Sequence, residues 1–405
     1  MKRIPTSLSE RLRLSKPAGK RAVVAVLWSW IAFCFRGLVS TKMRSRRRFL
    51  FFGHSRVIVL HQLRFFRVVK KYYPDARFRI VLFGMDHALT QVMEGLCEEA
   101  GLKQIKEVWV PFVNWDLCIV ADHCYQDEFI ANNTPKLFIY HGMGSIKKVN
   151  GENYKYGDSF VLNRYGRLKY DAMFEAGEFQ KAYASKVAPK LKNVLSVAGD
   201  LEVDSFLEMC SRKEDIRDEL GYDRNQKILL VQSTWSGNSI EQRLGTELFS
   251  LCEKLADSLD LRIIFSSHPA HWGGKKDLED RSEYYLSHES ERVRILRPDE
   301  DRHPLMAIAD VCLSDITTLS TIYAFSKRPL VFSIGESSEL DSGSELAQLI
   351  EACPSGESSD ELEALISDAF EKRNDPNYTH LLDSFCKYPG MAPDPMMKKV
   401  ASLME

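Results

Sequence analysis

Short apolar runs alternate with amphipathic or polar segments along most of this chain. Such runs predict buried strands, because a strand that is covered on both faces loses the apolar–polar alternation of a half-exposed one. The predicted strands are 56–60, 79–83, 107–110, 117–121, 137–140, 159–162 and 194–197 in the first half, and 228–231, 261–265, 293–296, 311–313 and 330–332 in the second. Segments with helical character, such as 87–100, lie between them, so the pattern predicts parallel βαβ layers.

The length of the chain and one charged segment suggest how these layers are divided. A chain of 405 residues exceeds the size at which a single core stops growing, so roughly two domains are expected. A charged helix and a turn near 212–223 separate the two sets of strands. We predict a basic N-terminal segment at 1–50, Rossmann-like domains at 51–205 and 206–385, and a C-terminal helix at 386–405 that packs back on the first domain.

A cluster of small polar residues follows the predicted strand at 311–313, where a helix would begin. Ser314, Asp315, Thr317 and Thr318 form this cluster. A helix N-terminus binds anions, because unpaired N–H groups and the positive end of the helix dipole lie there, and hydroxyls add further donors. The alternative is a simple helix cap. For Asp315 the cap is favoured, because a carboxylate would repel phosphate.

Two histidines occupy similar positions after other predicted strands. The strand at 261–265 leads into Ser266, Ser267 and His268, and the strand at 137–140 leads into His141 and Gly142. Open parallel sheets bind ligands at the carboxyl ends of their strands. A single histidine there is more often structural, but two histidines and a hydroxyl cluster together indicate a site. A free imidazole titrates at about pH 6.5 and can accept a proton at neutral pH.

In their order along the chain, these motifs resemble those of the CDP-glycerol glycerophosphotransferases, which make teichoic-acid-type and capsular glycerol phosphate polymers. The family motifs HG, P-T-W, R-x-H-P, A-D-x-x-I-T-D-Y-S-S and K-R-P-x-x-F correspond to His141–Gly142, Ser233–Trp235, Ser266–Pro269, Ala309–Thr318 and Lys327–Phe332. The correspondence is imperfect, since Ser266 replaces an arginine and Ile316 replaces a tyrosine. A phosphate contact from that arginine is therefore lost.

The resemblance implies a GT-B architecture, in which two Rossmann-like domains face a cleft. It also implies transfer of glycerol phosphate, or a related polyol phosphate, from a CDP-activated donor to a lipid-linked or glycan acceptor. His141 would be the base, and His268 would contact the diphosphate or assist the leaving group. The donor and its phosphates would be held by Gly142, Thr234, Ser236, Ser314, Thr317 and Thr318, with Asp315 beside them.

Other readings of the same cleft remain open. A GT-B glycosyltransferase that uses a nucleotide sugar in capsule or lipopolysaccharide synthesis would need similar residues. A non-catalytic membrane-bound adaptor on a transferase scaffold would account for the lost arginine. The nine cysteines fall singly and no metal-ligand spacing is present, so we expect no metal site and no required cofactor, while a divalent cation such as Mg²⁺ remains compatible with diphosphate chemistry.

The net charge of −1 conceals a strongly basic N-terminus, in which residues 1–50 hold thirteen Lys or Arg and one acidic residue, Glu10. The apolar run at 22–39 is flanked by basic residues and is shorter, or more interrupted, than the roughly 20 apolar residues of a membrane-spanning helix. We expect an interfacial helix on an anionic membrane surface, with a buried N-terminal helix as the alternative. The predicted location is the cytoplasmic face of the cell membrane, peripheral or N-terminally anchored. No nucleic-acid recognition motif accompanies the basic residues, so no nucleic-acid partner is expected.

Overall fold

The structure is a computed structural model that describes residues 46–123, 134–140, 148–149, 152–153, 155–163, 166–234, 239–273, 279–335, 343–372 and 376–405. The chain divides into two units. Unit 1 contains the described residues of 46–140, Val149–Leu201 and Met391–Glu405, and unit 2 contains Lys148 and those of Glu202–Gly390.

A parallel sheet forms the centre of unit 1. The strands in this part of the chain are β1 (Arg48–Gly53), β2 (Arg77–Leu82), β3 (Lys103–Gln104), β4 (Leu117–Val120), β5 (Lys136–Ile139), β6 (Lys148–Val149), β7 (Glu152–Asn153), β8 (Ala172–Glu175) and β9 (Leu195–Val197). The sheet has the order β3-β2-β1-β4-β5-β8-β9, and β6 pairs with β7 separately. Phe51 of β1 pairs with Ile80 of β2 on one side and with Ile119 of β4 on the other. Counting outward from β1, strands β2 and β3 lie on one side of it, and β4 and the later strands lie on the other. The order of the strands in the sheet therefore reverses at β1.

The helices of this part are α1 (Arg56–Tyr72), α2 (His87–Ala100), α3 (Asp158–Val161) and α4 (Glu178–Val187). The Ser55 hydroxyl accepts the N–H of Ile58 and caps α1. One face of α1 is buried, with Val59 and Phe66 in the core beside β1. The side chain of the buried Gln62 donates to the carbonyls of Phe52 and Ile119, both at 3.2 Å, and so ties α1 to β1 and β4.

Three predicted strands of the first half are wrong. The segment 56–60 lies in α1, because a short apolar run fits a buried helix face as well as a strand. The segment 107–110 lies in a 3₁₀ helix, Glu107–Phe112, where Pro111 has no N–H to offer a strand ladder. The segment 159–162 overlaps the single turn of α3.

Two strands of unit 1 that are longer than two residues were not predicted as such. β1 begins at Arg48, inside the predicted basic segment 1–50, and its residues Phe49 and Phe51 are fully buried. β8 is a four-residue strand that lies between β5 and β9. Its sequence, AMFE, contains no β-branched residue, so it gave a weak strand signal.

Unit 2 repeats the layout with a second parallel sheet, and its five predicted strands are confirmed. The strands are β10 (Lys227–Gln232), β11 (Leu261–Ser266), β12 (Val293–Ile295), β13 (Val311–Ser314), β14 (Leu330–Ser333) and β15 (Ser355–Gly356), in the order β12-β11-β10-β13-β14-β15. The helices that follow α4 are α5 (Leu201–Ser211), α6 (Lys213–Leu220), α7 (Ile240–Leu244), α8 (Glu247–Leu259), α9 (Ser282–Ser287), α10 (Arg302–Ile308), α11 (Thr318–Ala324), α12 (Glu345–Ala352), α13 (Ser359–Lys372), α14 (Thr379–Phe385) and α15 (Pro393–Leu403). Here β10 is the strand at which the succession reverses.

The last helix, α15, belongs to unit 1. Met396, Met397 and Val400 are buried in the same core as α1 and β1. The Arg47 guanidinium donates to the carbonyl of Met404 at 3.1 Å. In the described ranges, no helix is long and apolar enough to cross a membrane. The predicted interfacial helix at 22–39 lies outside those ranges.

Candidate functional site

The carboxyl ends of β10, β11 and β13 lie side by side at one edge of the unit 2 sheet. Gln232 of β10 pairs with Ser266 of β11 and with Ser314 of β13. Parallel sheets bind ligands at the carboxyl edge beside the strand where succession reverses. The segments that follow these strands begin at Ser233, Ser267 and Asp315. Three polar turns that the sequence presented separately are therefore neighbours.

Asp315 holds the turn after β10 in place. Its buried carboxylate accepts the backbone N–H of Thr234 at 2.9 Å and that of Ile240 at 3.0 Å, and the Ser233 hydroxyl donates to it at 3.2 Å. Burial outweighs these bonds and raises the pKa of Asp315 to about 6. The prediction that Asp315 caps the helix after β13 is wrong, because the cap of α11 is Thr317.

Thr317 and Thr318 stand at the beginning of α11 and are both half-buried. The Thr317 hydroxyl accepts the N–H of Leu319 at 3.4 Å. Ser314 is fully buried, and its hydroxyl donates to the carbonyl of Asp315 at 3.2 Å. The hydroxyls of the two threonines are therefore partly accessible to a ligand. The Ser314 hydroxyl is buried and stabilises the turn through its hydrogen bond.

His268 is half-buried and precedes a 3₁₀ turn, Pro269–His271. Its Nδ1 accepts the backbone N–H of Ala270 at 3.1 Å. A ring nitrogen that accepts an N–H carries no proton, so the neutral ring carries its proton on Nε2. In this state His268 offers an N–H donor at Nε2, which suits a contact with a phosphate oxygen.

Two arginines near this edge were missed by the sequence analysis. Arg302, the first residue of α10, donates to the carbonyl of Ser267 at 3.0 Å. Arg243 of α7 donates to the hydroxyl of Ser333, which ends β14. Burial lowers the pKa of both guanidinium groups, which remain cationic at neutral pH. A basic side chain therefore lies beside the His-Pro turn even though Ser266 replaces the arginine of the family motif, and it comes from an element that no local motif connects to that turn.

A buried protonatable pair lies next to the same turn. Glu241 and His271 are almost fully buried, and Glu241 Oε2 lies 3.9 Å from His271 Nε2. Burial raises the pKa of Glu241 to about 7, although the hydroxyls of Tyr285 and Ser233 lower it. Burial also lowers the pKa of His271, and the charge of Arg281 lowers it further. Both shifts favour the neutral forms, so burial disfavours a charged Glu241 carboxylate beside a charged His271 imidazolium.

The carboxyl edge of the unit 1 sheet carries a different set of groups. His54 follows β1, and its Nε2 lies 3.2 Å from the Oδ2 of Asp122, which follows β4. The other oxygen of Asp122 accepts the backbone N–H of His123 at 2.7 Å. His123 Nδ1 lies 2.9 Å from the hydroxyl of Tyr170. Polar residues after apolar runs were the signal that could have identified these groups.

Three of the predicted site residues belong to segments that the structure does not describe. His141, Gly142 and Ser236 lie outside the described residues. β5, which precedes His141 in the chain, ends at Ile139 and pairs with β4. Among the described residues, no group of three or more His, Cys, Asp and Glu side chains is arranged to hold a metal ion.

A sequence profile of the CDP-Glycerol:Poly(glycerophosphate) glycerophosphotransferase family matches residues 117–390, which is more than half of the chain. The chain belongs to this family. The resemblance inferred from the motifs is thereby confirmed, and the protein is a CDP-glycerol glycerophosphotransferase-type enzyme. No curated protein sequence matches the chain.

Solved structures of similar fold support the architecture of this glycerophosphotransferase family member. The wall teichoic acid polymerase TagF is 14% identical with a TM-score of 0.63, and the match covers 98% of this chain and 96% of that one. A UDP-GlcNAc 2-epimerase from Neisseria meningitidis, bound to UDP-GlcNAc, is 13% identical with a TM-score of 0.57, over 88% of this chain and 99% of that one. These likenesses show the fold, two parallel-sheet α/β domains of the GT-B kind.

Proposed function

We propose that this enzyme transfers glycerol phosphate from CDP-glycerol to a lipid-linked or glycan acceptor in the synthesis of a teichoic-acid-type polymer. Family membership supports the donor and the reaction type. The fold is similar to that of TagF, a wall teichoic acid polymerase, and one similar structure is a TagF variant soaked with CDPG. We further propose that the protein works at the cytoplasmic face of the membrane, where the basic residues of 1–50 would meet anionic lipid.

The observation that carries the proposal is the position of His268 relative to α11. His268 follows β11 and Thr317 follows β13, and both strands flank β10 at the same edge of one sheet. One side presents an imidazole whose Nε2 carries a proton, and the other presents the beginning of a helix with two hydroxyls. Both arrangements favour an anion, and a diphosphate has oxygens enough to meet both.

In the proposed reaction the acceptor hydroxyl attacks the phosphorus that bears glycerol. A new bond forms between the acceptor oxygen and this phosphorus, and the bond from the phosphorus to the CMP oxygen breaks, so that CMP leaves with that oxygen. His141 takes the proton of the acceptor hydroxyl. Positioning of the two reactants and stabilisation of the spreading negative charge account for most of the acceleration in such reactions.

The unit 2 residues would stabilise the charge that develops on the leaving group. The Nε2–H of His268 would donate to an oxygen of the departing CMP phosphate, and Thr317 and Thr318 would donate to the remaining phosphate oxygens. Arg302, held at Ser267, would supply the positive charge that Ser266 does not. A single preorganised donor of this kind accounts for roughly 10²–10³-fold in rate.

The test is a donor panel with purified full-length protein. CDP-glycerol, CDP-ribitol and several nucleotide sugars are each incubated with a lipid or glycan acceptor fraction, and the released nucleotide is measured. Acceptor-dependent release of CMP that falls at least 100-fold in His268→Ala would support the proposal. Release of a nucleoside diphosphate from a sugar donor would instead make the enzyme a glycosyltransferase, and no release from any donor would favour the adaptor.

Two further expectations belong to this proposal. That the two domains face one cleft, as the resemblance implies, stays a prediction. The expectation that no cofactor is required also stays a prediction, and CMP release measured with EDTA and with added Mg²⁺ tests it.

A further inference from the structure

A cavity of about 440 Å³ opens at the amino ends of the unit 2 strands. Its lining includes Lys227, the first residue of β10, Val311, the first residue of β13, and Pro329, which precedes β14. The three strands are parallel, so this cavity lies at the opposite edge of the sheet from His268. The six residues of β10 span roughly 20 Å, and a small ligand in the cavity could not touch both edges.

Positive charge dominates the lining of this cavity, which we call the basic pocket. Two carboxylates, those of Glu214 and Asp310, also line it. The cationic side chains in the lining are those of Lys213, Arg217, Arg224, Lys227, Lys327 and Arg328. The pocket therefore has an excess of cations over anions.

The carboxylate of Asp310 is already occupied by protein donors. Lys213 Nζ lies 2.6 Å from its Oδ1, and Arg217 Nη2 lies 2.8 Å from its Oδ2. The backbone N–H of Ile228 donates to Oδ2 at 2.9 Å. One negative charge thus neutralises two cations only in part. Arg224 has its own partner, Asp218, outside the pocket.

Three cations of the pocket have no carboxylate partner within the described ranges of the chain. Lys227 Nζ lies 6.0 Å from the ring centroid of Phe370. The Arg328 guanidinium donates to the carbonyl of Ala309 at 2.7 Å, which fixes its position but leaves its charge uncompensated. Lys327 is exposed at the rim.

Neighbouring cations also act on the ammonium group of Lys213. Burial lowers its pKa, and the nearby charges of Arg328 and Arg217 lower it further, while the contact with Asp310 raises it without restoring the ordinary value. The guanidinium groups of Arg328 and Arg217 thus repel the Lys213 ammonium group, although burial is the larger cause of the lowered pKa. An anion in the pocket would relieve that repulsion.

The backbone of Lys327 has a conformation that is usual for glycine and unusual for lysine. Its φ of 56° lies in the left-handed region, which a residue with a side chain adopts at a cost of roughly 1–2 kcal/mol. Glycine would take this conformation without that cost. The chain nevertheless has a lysine here, and both Lys327 and Arg328 line the pocket.

We propose that the basic pocket binds the phosphate group of a second ligand, at a site separate from the donor site. Clustered lysine and arginine side chains are the usual partners of phosphate, since the guanidinium fork and the ammonium group both match its oxygens. A cavity of this volume admits a diphosphate or the headgroup of a glycerophospholipid. The proposal goes beyond the transferase activity and stands whichever donor the enzyme uses.

The test compares two doubly substituted full-length proteins with the same change of charge. Lys227→Gln with Lys327→Gln alters the basic pocket, and Lys398→Gln with Lys399→Gln alters α15 of unit 1. Each protein and the wild type are titrated with inorganic pyrophosphate, and their sedimentation with phosphatidylglycerol vesicles is compared with that with phosphatidylcholine vesicles. His268→Ala identifies any pyrophosphate bound at the donor site.

Pyrophosphate binding that persists in His268→Ala is assigned to the basic pocket. We expect the pocket variant to bind pyrophosphate at this site at least ten-fold more weakly than the wild type. The α15 variant should stay within two-fold of the wild type. A loss confined to phosphatidylglycerol vesicles would identify the phosphate as a lipid headgroup. If the pocket variant and the α15 variant behave alike in both assays, the proposal is overturned.

A measurement on the unaltered protein guards against misfolding of a variant. The rates at which Lys227, Lys327 and Lys254 are acetylated are compared with and without pyrophosphate or the vesicles. The two pocket lysines should be protected at least five-fold by one of these ligands, whereas Lys254, an exposed lysine paired with Glu363, should not. Equal rates for all three lysines under every condition would contradict the proposal.

Discussion

The strand order around β1 in unit 1 is the same as that around β10 in unit 2. In each unit an aspartate follows the strand next to this central strand, but the two aspartates have different partners. In unit 1, Asp122 after β4 faces the imidazole of His54. In unit 2, Asp315 after β13 is saturated by backbone N–H groups of Thr234 and Ile240. One carboxylate is paired with a titratable side chain, and the other is a structural element of a turn.

The two edges also differ in the other groups that they carry. The unit 1 edge collects the imidazoles of His54 and His123, whereas the unit 2 edge offers hydroxyls, a protonated Nε2 and guanidinium groups. A carboxylate that accepts several N–H groups does not repel a phosphate as strongly as an open one, because its charge is spread over fixed donors. The same strand order thus presents a histidine–aspartate contact in unit 1 and donors suited to an anion in unit 2.

The largest expected effect comes from His141→Ala. Removal of a general base typically lowers turnover by roughly 10²–10⁴-fold. Affinity for CDP-glycerol should stay nearly unchanged, because the contacts proposed for its phosphates come from His268, Thr317 and Thr318. Acceptor-dependent CMP release and equilibrium binding of CDP-glycerol measure the two quantities. His288→Ala, at a half-buried histidine of unit 2 that stacks on Phe249, is the control. Undiminished turnover in His141→Ala would remove this residue from the mechanism.

The next effect concerns the stability of unit 1. Lys155 Nζ lies 2.6 Å from Glu175 Oε2, and both side chains are almost fully buried. Lys155→Met leaves the carboxylate buried without its cation, so the free energy of unfolding should fall by about 3–5 kcal/mol in urea titrations. Lys155→Met combined with Glu175→Leu should recover much of this loss. A single variant as stable as the wild type would contradict a stabilising role for this buried ion pair.

A smaller effect depends on pH and on unit 2. The pKa of Glu241 is about 7 when folded and lies near 4.5 when unfolded, so the folded state binds the proton more tightly. The stabilisation that this carboxyl contributes is fully present below about pH 4.5 and is lost as the pH rises through 7. Glu241→Gln keeps the neutral form at every pH. Its free energy of unfolding should exceed that of the wild type by about 3 kcal/mol at pH 8 and match it near pH 4.5. A constant difference across this range would contradict the shift.

The smallest effect is expected at the beginning of α11. Thr317→Ala removes the hydroxyl that accepts the N–H of Leu319, and loss of such a cap costs about 1 kcal/mol of stability. The KM for CDP-glycerol should also rise a few-fold if the same hydroxyl meets a phosphate. Thr317→Ser retains the hydroxyl and should restore both quantities. Loss of stability with an unchanged KM would leave Thr317 as a cap alone.

Local patterns in the sequence were sufficient for the βαβ character and for most strands. The run at 228–231, for example, is apolar throughout because both faces of β10 are covered, and periodicity records that burial directly. The same signal failed at 56–60, since a buried helix face also produces a short apolar run. Length and capping by Ser55 decide between the two, and the run alone contains neither.

The amino-acid sequence by itself determined the family, the two parallel sheets and the placement of His268 and the Thr317–Thr318 pair after strands, because each of these depends on residues that are close in the chain. Only the tertiary structure decided that Asp315 serves the β10 turn, that Arg302 reaches Ser267 and that Lys227, Lys327 and Arg328 share one pocket. These contacts join residues dozens of positions apart. Their partners are chosen by the order and register of the strands, and no local pattern of side chains encodes that order.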